Sequence, residues 1–220
     1  MTGPRALQKL LTWLSPAFPV GAFAWSGGLE SAIADGSVND SAATQIWVEG
    51  GLRHGGARTD AILAAAAWRA SADRETLGEL ADLALALIPA AERRAETLAV
   101  GEAFVRAVRA WPSAVFERLP EPCPYPIALG AVAAAQDVPL LDTLLAFVSA
   151  QLAGQVSVAV RLVPIGQVDG VAILAGLEPL VAELAEAAAS AGLEDIGAIG
   201  YATDIAQMRH ETLETRIFRS

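Results

Sequence analysis

The chain has 220 residues, 54% hydrophobic and 18% charged, a balance that fits one ordered globular domain and excludes intrinsic disorder. Its formal net charge of −10 repels phosphate backbones and anionic lipid, which excludes nucleic acid as a partner. Lys9 is the only lysine, and a basic complement made almost wholly of arginine suits bidentate pairing at protein interfaces.

Apolar residues are mainly Ala and Leu at helical spacing, and β-branched runs are short, so the expected fold is all-α, a single-domain multi-helix bundle over residues 1–220. The first helix is expected over Ala6–Leu14, stopped by Pro16, with a second beginning near Ser26 as its N-cap. Asn39, Asp40 or Ser41 caps a third helix through about Leu52, and the HGGAR stretch breaks it before a helix from Thr59 to about Ala70. Thr76–Leu87 and Ala90 to about Ala110 follow, with Pro89 placed to occupy the start of the second.

Between Trp111 and Pro126 lie Pro112, Pro120, Pro122, Pro124 and Pro126, and the alternating prolines from Pro120 onward read as an extended loop. Helices are expected from Pro126 to about Ala135 and from Pro139 to about Val163. Within the latter, TLLAFVSAQLAGQVSVAV is long and uncharged enough to span a membrane. Gln151 and Gln155 inside it, with Asp142 and Arg161 near its ends, favour a buried core helix. Pro164 and Gly166 break the chain, Glu178–Ala191 follows Gly176, and the last segment is helical from Asp204.

Catalytic and metal-binding groupings are sparse. No P-loop is present, because Lys9 follows no glycine-rich turn. His54 and His210 are far apart, and Cys123 stands alone, so neither a disulfide nor a CxxC zinc site can form. Each histidine is read as a solvated or capping group at a helix end, and Cys123 as a small residue packed among prolines. SGGLE is read as a turn packed closely on a neighbouring helix in preference to an anion site, and AERRAE as a solvated face with pairs a turn apart. No catalytic residue, cofactor or metal ligand is assigned. The lone cysteine and the absence of a signal-like apolar run at the N-terminus point to a cytoplasmic location.

Three segments carry a resemblance: LSPAFPVGAFAWSGGLE near the start, VRLVPIGQ in the middle and MRHETLETRIFRS at the end. In order and spacing they resemble the urease accessory protein F family over nearly the whole chain. The resemblance implies an all-α, non-catalytic maturation factor that forms a homodimer. It also implies binding to a second accessory protein, called D or H, recruitment of the nickel-carrying accessory GTPase, and engagement of apo-urease. The first segment departs from the usual family pattern at Ala22, Ala24 and Trp25, and the last at Leu213 and Glu214.

On this reading the partner-binding residues are Phe23, Trp25, Arg161, Arg209, His210, Glu211, Arg216, Ile217, Phe218 and Arg219. Residues 204–220 form a docking tail whose guanidinium and apolar groups face a partner. Its removal is expected to leave the helical core folded and to prevent assembly. The rival readings are a helical small-molecule-binding enzyme, disfavoured by the lack of convergent catalytic groups, and a small integral-membrane protein.

Overall fold

The computed structural model describes residues 3–197 and 199–220, and among these are ten α-helices and no strand. Helix α1 runs Pro4–Trp13, with proline in its first turn where no N–H is required. Helix α2 is short, Leu29–Ala34, and starts three residues later than Ser26 because Gly27 and Gly28 take the left-handed conformation (φ 61° and 84°). Ser26 still acts as a cap, its hydroxyl accepting from Glu30 N at 3.3 Å.

Asp40 caps α3 (Ser41–His54), accepting from Ala43 N at 2.8 Å. Gly55 ends it and leads directly into α4 (Gly56–Arg69), so this pair is joined more tightly than a start at Thr59 implies. Asp73 caps α5 (Arg74–Ala86), which moves its start ahead of Thr76. Helix α6 spans Ala91–Val108, and Pro89 lies outside it, one residue before the Ala90 N-cap. Residues 120–124 contain no helix, and α7 (Tyr125–Ala135) carries Pro126 in its first turn.

Helix α8 spans Leu140–Leu162 and is the one described helix long and apolar enough to cross a bilayer. Its inner face, including Leu144, Phe147, Val148 and Leu152, is buried in the main core. Helix α9 is longer than expected, Gln167–Ser190, and passes through Gly176 and Pro179 without a break. Pro179 removes the donor to the Ala175 carbonyl, but both residues are exposed, so water can satisfy that carbonyl. Helix α10 begins at Tyr201 and ends at His210.

Most buried apolar residues form one core, in which α4 packs on α7 and α8 on α9. The α4–α7 approach is close because a Cβ at Gly130 would stand 2.1 Å from the Ala64 carbonyl oxygen. Inside the bundle, Asp60 of α4 pairs with Arg93 of α6, which also lies 3.4 Å from Glu96 one turn on. Part of the AERRAE stretch is therefore interior. A second, smaller core joins Leu29, Ala32, Val38, Val158, Ala159 and Val163 to Phe218 of the C-terminal segment, and this brings the chain's last residues onto α2 and α8.

Candidate functional site

The three resemblance-bearing segments converge on one surface. The Gly27–Gly28 turn lies between α8 and α10: Gln155 Nε2 donates to Ser26 O at 2.9 Å, and a Cβ on Gly28 would meet Gln207 N at 2.7 Å. Close helix packing is therefore the reason for the glycine pair. The turn aims Glu30, in the first turn of α2, at the incoming C-terminal segment.

Glu30 is 6% exposed and ties that segment down. Its carboxylate accepts from Ile217 N at 2.7 Å and Phe218 N at 2.9 Å, and faces His210 Nε2 at 3.0 Å. Burial pushes the Glu30 carboxyl up, but the His210 hydrogen bond, the two amides and the charge of His210 outweigh it, leaving it below the ordinary value. On the other side of the ring, Nδ1 lies 2.7 Å from Glu92 of α6, and Glu92 also pairs with Arg216. Both ring nitrogens of His210 therefore face a carboxylate oxygen, so the ring bridges α2 and α6.

Further contacts extend the clasp. Ser26 N donates to Ser220 O at 2.8 Å, the Ser26 hydroxyl donates to the same oxygen, and Arg219 N donates to Ala24 O at 2.9 Å. Arg161 of α8 donates to Phe23 O at 3.4 Å and stacks 4.5 Å over the Phe218 ring. Arg219 lies 5.5 Å over Trp25. Glu211 accepts from Ala91 N at 2.8 Å at the start of α6, and Arg209 lies 3.5 Å from Asp35.

Of the ten residues assigned to partner contact, Phe23 (72%) and Ile217 (77%) are the most exposed hydrophobics, and Arg161, Arg209, Glu211, Arg216 and Arg219 also reach the surface. Trp25 is half-buried. His210 (0%) and Phe218 (4%) are inside, holding the chain's own elements together. His210 thus ends a helix, as expected, but is neither solvated nor a simple cap, whereas His54 is exposed at the end of α3. The tail is a clasp on its own domain, neither frayed nor free, so its removal must cost stability.

Sequence reasoning passed over Glu30 and Glu92 as fastening groups. Glu30 lay within the quoted SGGLE motif, yet nothing in one sequence shows that a carboxylate 180 residues from His210 meets it. Cys123 is buried, which raises its thiol pKa to about 12 and leaves it chemically quiet. Among the described residues, no group of three or more His, Cys, Asp or Glu side chains is placed to hold a metal ion.

These features define an all-α, single-domain protein whose terminal segment is clasped by a buried ionic network beside an exposed aromatic and guanidinium surface. A family model described as UreF matches residues 38–178. The chain is 52% identical over 219 residues to urease accessory protein UreF of Agrobacterium fabrum, covering 100% of this chain and 98% of the relative. It is 49% identical over 223 residues to the UreF of Rhizobium leguminosarum bv. viciae, with 100% of both chains covered. To UreF 1 of Brucella canis it is 45% identical over 215 residues, covering 98% of this chain and 94% of the relative. The chain belongs to the UreF family of urease accessory proteins.

Proposed function

We propose that this chain is a non-catalytic urease maturation factor. It is a scaffold that joins the accessory protein called D or H to the nickel-carrying accessory GTPase, for delivery of nickel to apo-urease. The observation that carries the reading is the convergence of the three family-like segments on one surface, where Phe23 and Ile217 stand exposed beside Arg161 and Arg219. Exposed aromatic and arginine side chains on a rigid support are the groups that dominate protein interfaces. The clasp supplies the support by fixing the backbone of residues 217 and 218.

A second copy covers a different face. Along α8, Leu141 (44% exposed) and Leu145 (41%) continue into Ser149 and Ala153 without a charge, and on α9 Val168 (82%) and Val171 (63%) are uncovered. A homodimer buries this strip, and an ordinary interface of about 1,600 Å² in total is within reach of such a face. The chain acts in the cytoplasm, with α8 serving as a core helix that has one side at the dimer contact.

The test is co-purification. A tagged chain is expected to capture the D/H protein and, with it, the GTPase, and to sediment as a dimer. Failure to capture either protein at micromolar concentrations would refute the scaffold reading. A concentration-independent monomer would refute the dimer.

A further inference from the structure

We infer that the surface around Arg161 and Arg219 receives an acidic protein segment carrying one large apolar anchor, which enters a hollow beneath Phe23 and Trp25. The inference rests on the scaffold reading and adds to it the chemistry of the partner.

The hollow lies between α8 and the loop that follows α1, and measures about 200 Å³. Its walls are mainly apolar, with the aromatic residues Trp13, Phe18, Phe23, Trp25, Tyr125 and Phe147 among them. That volume is below the range of about 300–1,000 Å³ for drug-sized ligands, whereas an apolar cavity of about 150 Å³ accepts a benzene ring. A single aromatic or branched aliphatic side chain is therefore the fitting guest, and a cofactor is not. Phe23 stands at this hollow with 72% of its surface open, so an entering side chain would be enclosed by it.

Charge decides the rest of the segment. In a chain of net charge −10, no acidic side chain lines the hollow, and Arg161 is its one cationic group. Neither Arg161 nor Arg219 has a carboxylate partner among the described residues, a trait shared with most of the chain's arginines, since only Arg53, Arg93, Arg209 and Arg216 form such pairs; what singles these two out is their place beside the hollow. There, Arg161 and Arg219 are each laid over an aromatic ring, Phe218 and Trp25 respectively. Stacking orders a guanidinium. The Arg161 donors are turned onto Ser157 O and Phe23 O, so Arg161 contributes local positive charge, whereas the Arg219 guanidinium, held over Trp25, presents its N–H edge for a carboxylate to bind in bidentate fashion. Nucleic acid and anionic membrane would also present anions, but the overall charge repels such extended polyanions, while a short acidic segment meets only the local cations.

Two substitutions separate the parts of the inference. Gly154 lines the hollow from α8, and a Cβ there meets nothing within 4 Å. Gly154→Leu therefore plugs the hollow and favours the helix. Arg219→Gln removes an exposed, unpaired charge. Binding of each full-length variant to the purified D/H protein is measured by calorimetry at about 50 and 200 mM NaCl, salt levels chosen to span a marked change in screening, with melting curves as the fold control.

The expected result is wild-type binding that weakens with salt. Gly154→Leu should weaken it at least about tenfold, a change of about 1.4 kcal/mol, with an unchanged or higher melting temperature. Arg219→Gln should weaken it comparably and flatten the salt dependence. If Gly154→Leu weakens binding but Arg219→Gln does not, and wild-type binding ignores salt, the acidic character of the segment is overturned. If neither variant matters while the wild type binds, the whole inference falls and the scaffold reading survives on another face. If the wild type fails to bind, the scaffold reading fails and takes this inference with it.

Discussion

Replacing Glu30 with alanine tests whether the clasp holds the C-terminal segment. The substitution removes the acceptor for Ile217 N, Phe218 N and His210 Nε2 at a site 6% exposed. If the segment stayed in place, an imidazole and two amides would be left buried without their carboxylate, and breaking one side of such a buried pair costs about 3–5 kcal/mol. If the segment peels away, those donors reach water, and the main loss is the burial of Phe218, about 1.5–3 kcal/mol. The second route is cheaper, so release is the expected response. At about 2–4 °C per kcal/mol for a domain of this size, the melting temperature should fall by roughly 3–12 °C. Hydrogen exchange at the Ile217 and Phe218 amides should accelerate, and trypsin should cut after Arg216 faster than in the wild type. An unchanged melt with unchanged exchange at those amides would refute the clasp.

Three other outcomes follow, one from the clasp and two from contacts inside the bundle. Because the folded-state pKa of Glu30 is lowered, its stabilisation is complete above the ordinary value of 4.5 and is lost as pH falls below it through the folded value. The stability gap between wild type and Glu30→Gln should therefore shrink between pH 6 and about pH 3 in denaturant titrations. Arg93→Met should destabilise by about 3–5 kcal/mol at neutral pH, because Asp60 and Glu96, both pushed up by burial, lose the cation that offsets it; a loss under 1 kcal/mol in chemical denaturation would count against a buried ionic cluster. Gly130→Ala should cost about 1–3 kcal/mol through overpacking, since its methyl would meet the Ala64 carbonyl at 2.1 Å, and a neutral thermal melt would contradict the α4–α7 contact.

The helical character and most boundaries were legible because proline, glycine and capping aspartate act locally. Asp40 and the 120–124 prolines did what their chemistry dictates. Gly176 misled: the helix expected to follow it starts at Gln167 and runs through both Gly176 and Pro179, because a glycine inside a helix weakens it without ending it and the carbonyl freed by Pro179 faces water. Gly27 and Gly28 were visible as a close-packing turn, but not that they aim Glu30. The composition of the tail pointed outward to a partner, whereas His210 and Phe218 face inward. A run of arginine and apolar residues is equally suited to a partner and to the chain's own acidic groups, and only the spatial arrival of Glu30 and Glu92 distinguishes the two. Phe23, Ile217, Arg161 and Arg219 remain exposed beside the clasp.

The central claim of the proposed function is that the surface around Phe23 and Ile217 is a docking face for urease maturation partners. Its most direct test is co-purification of the D/H protein and the GTPase with the wild-type chain and with a Phe23→Asp, Ile217→Asp double variant. Both sites are largely exposed, 72% and 77%, so the variant should keep the wild-type melt. The account predicts that the wild type captures both partners and the variant captures neither. Equal capture by the variant would contradict it, as would a wild-type chain that captures nothing.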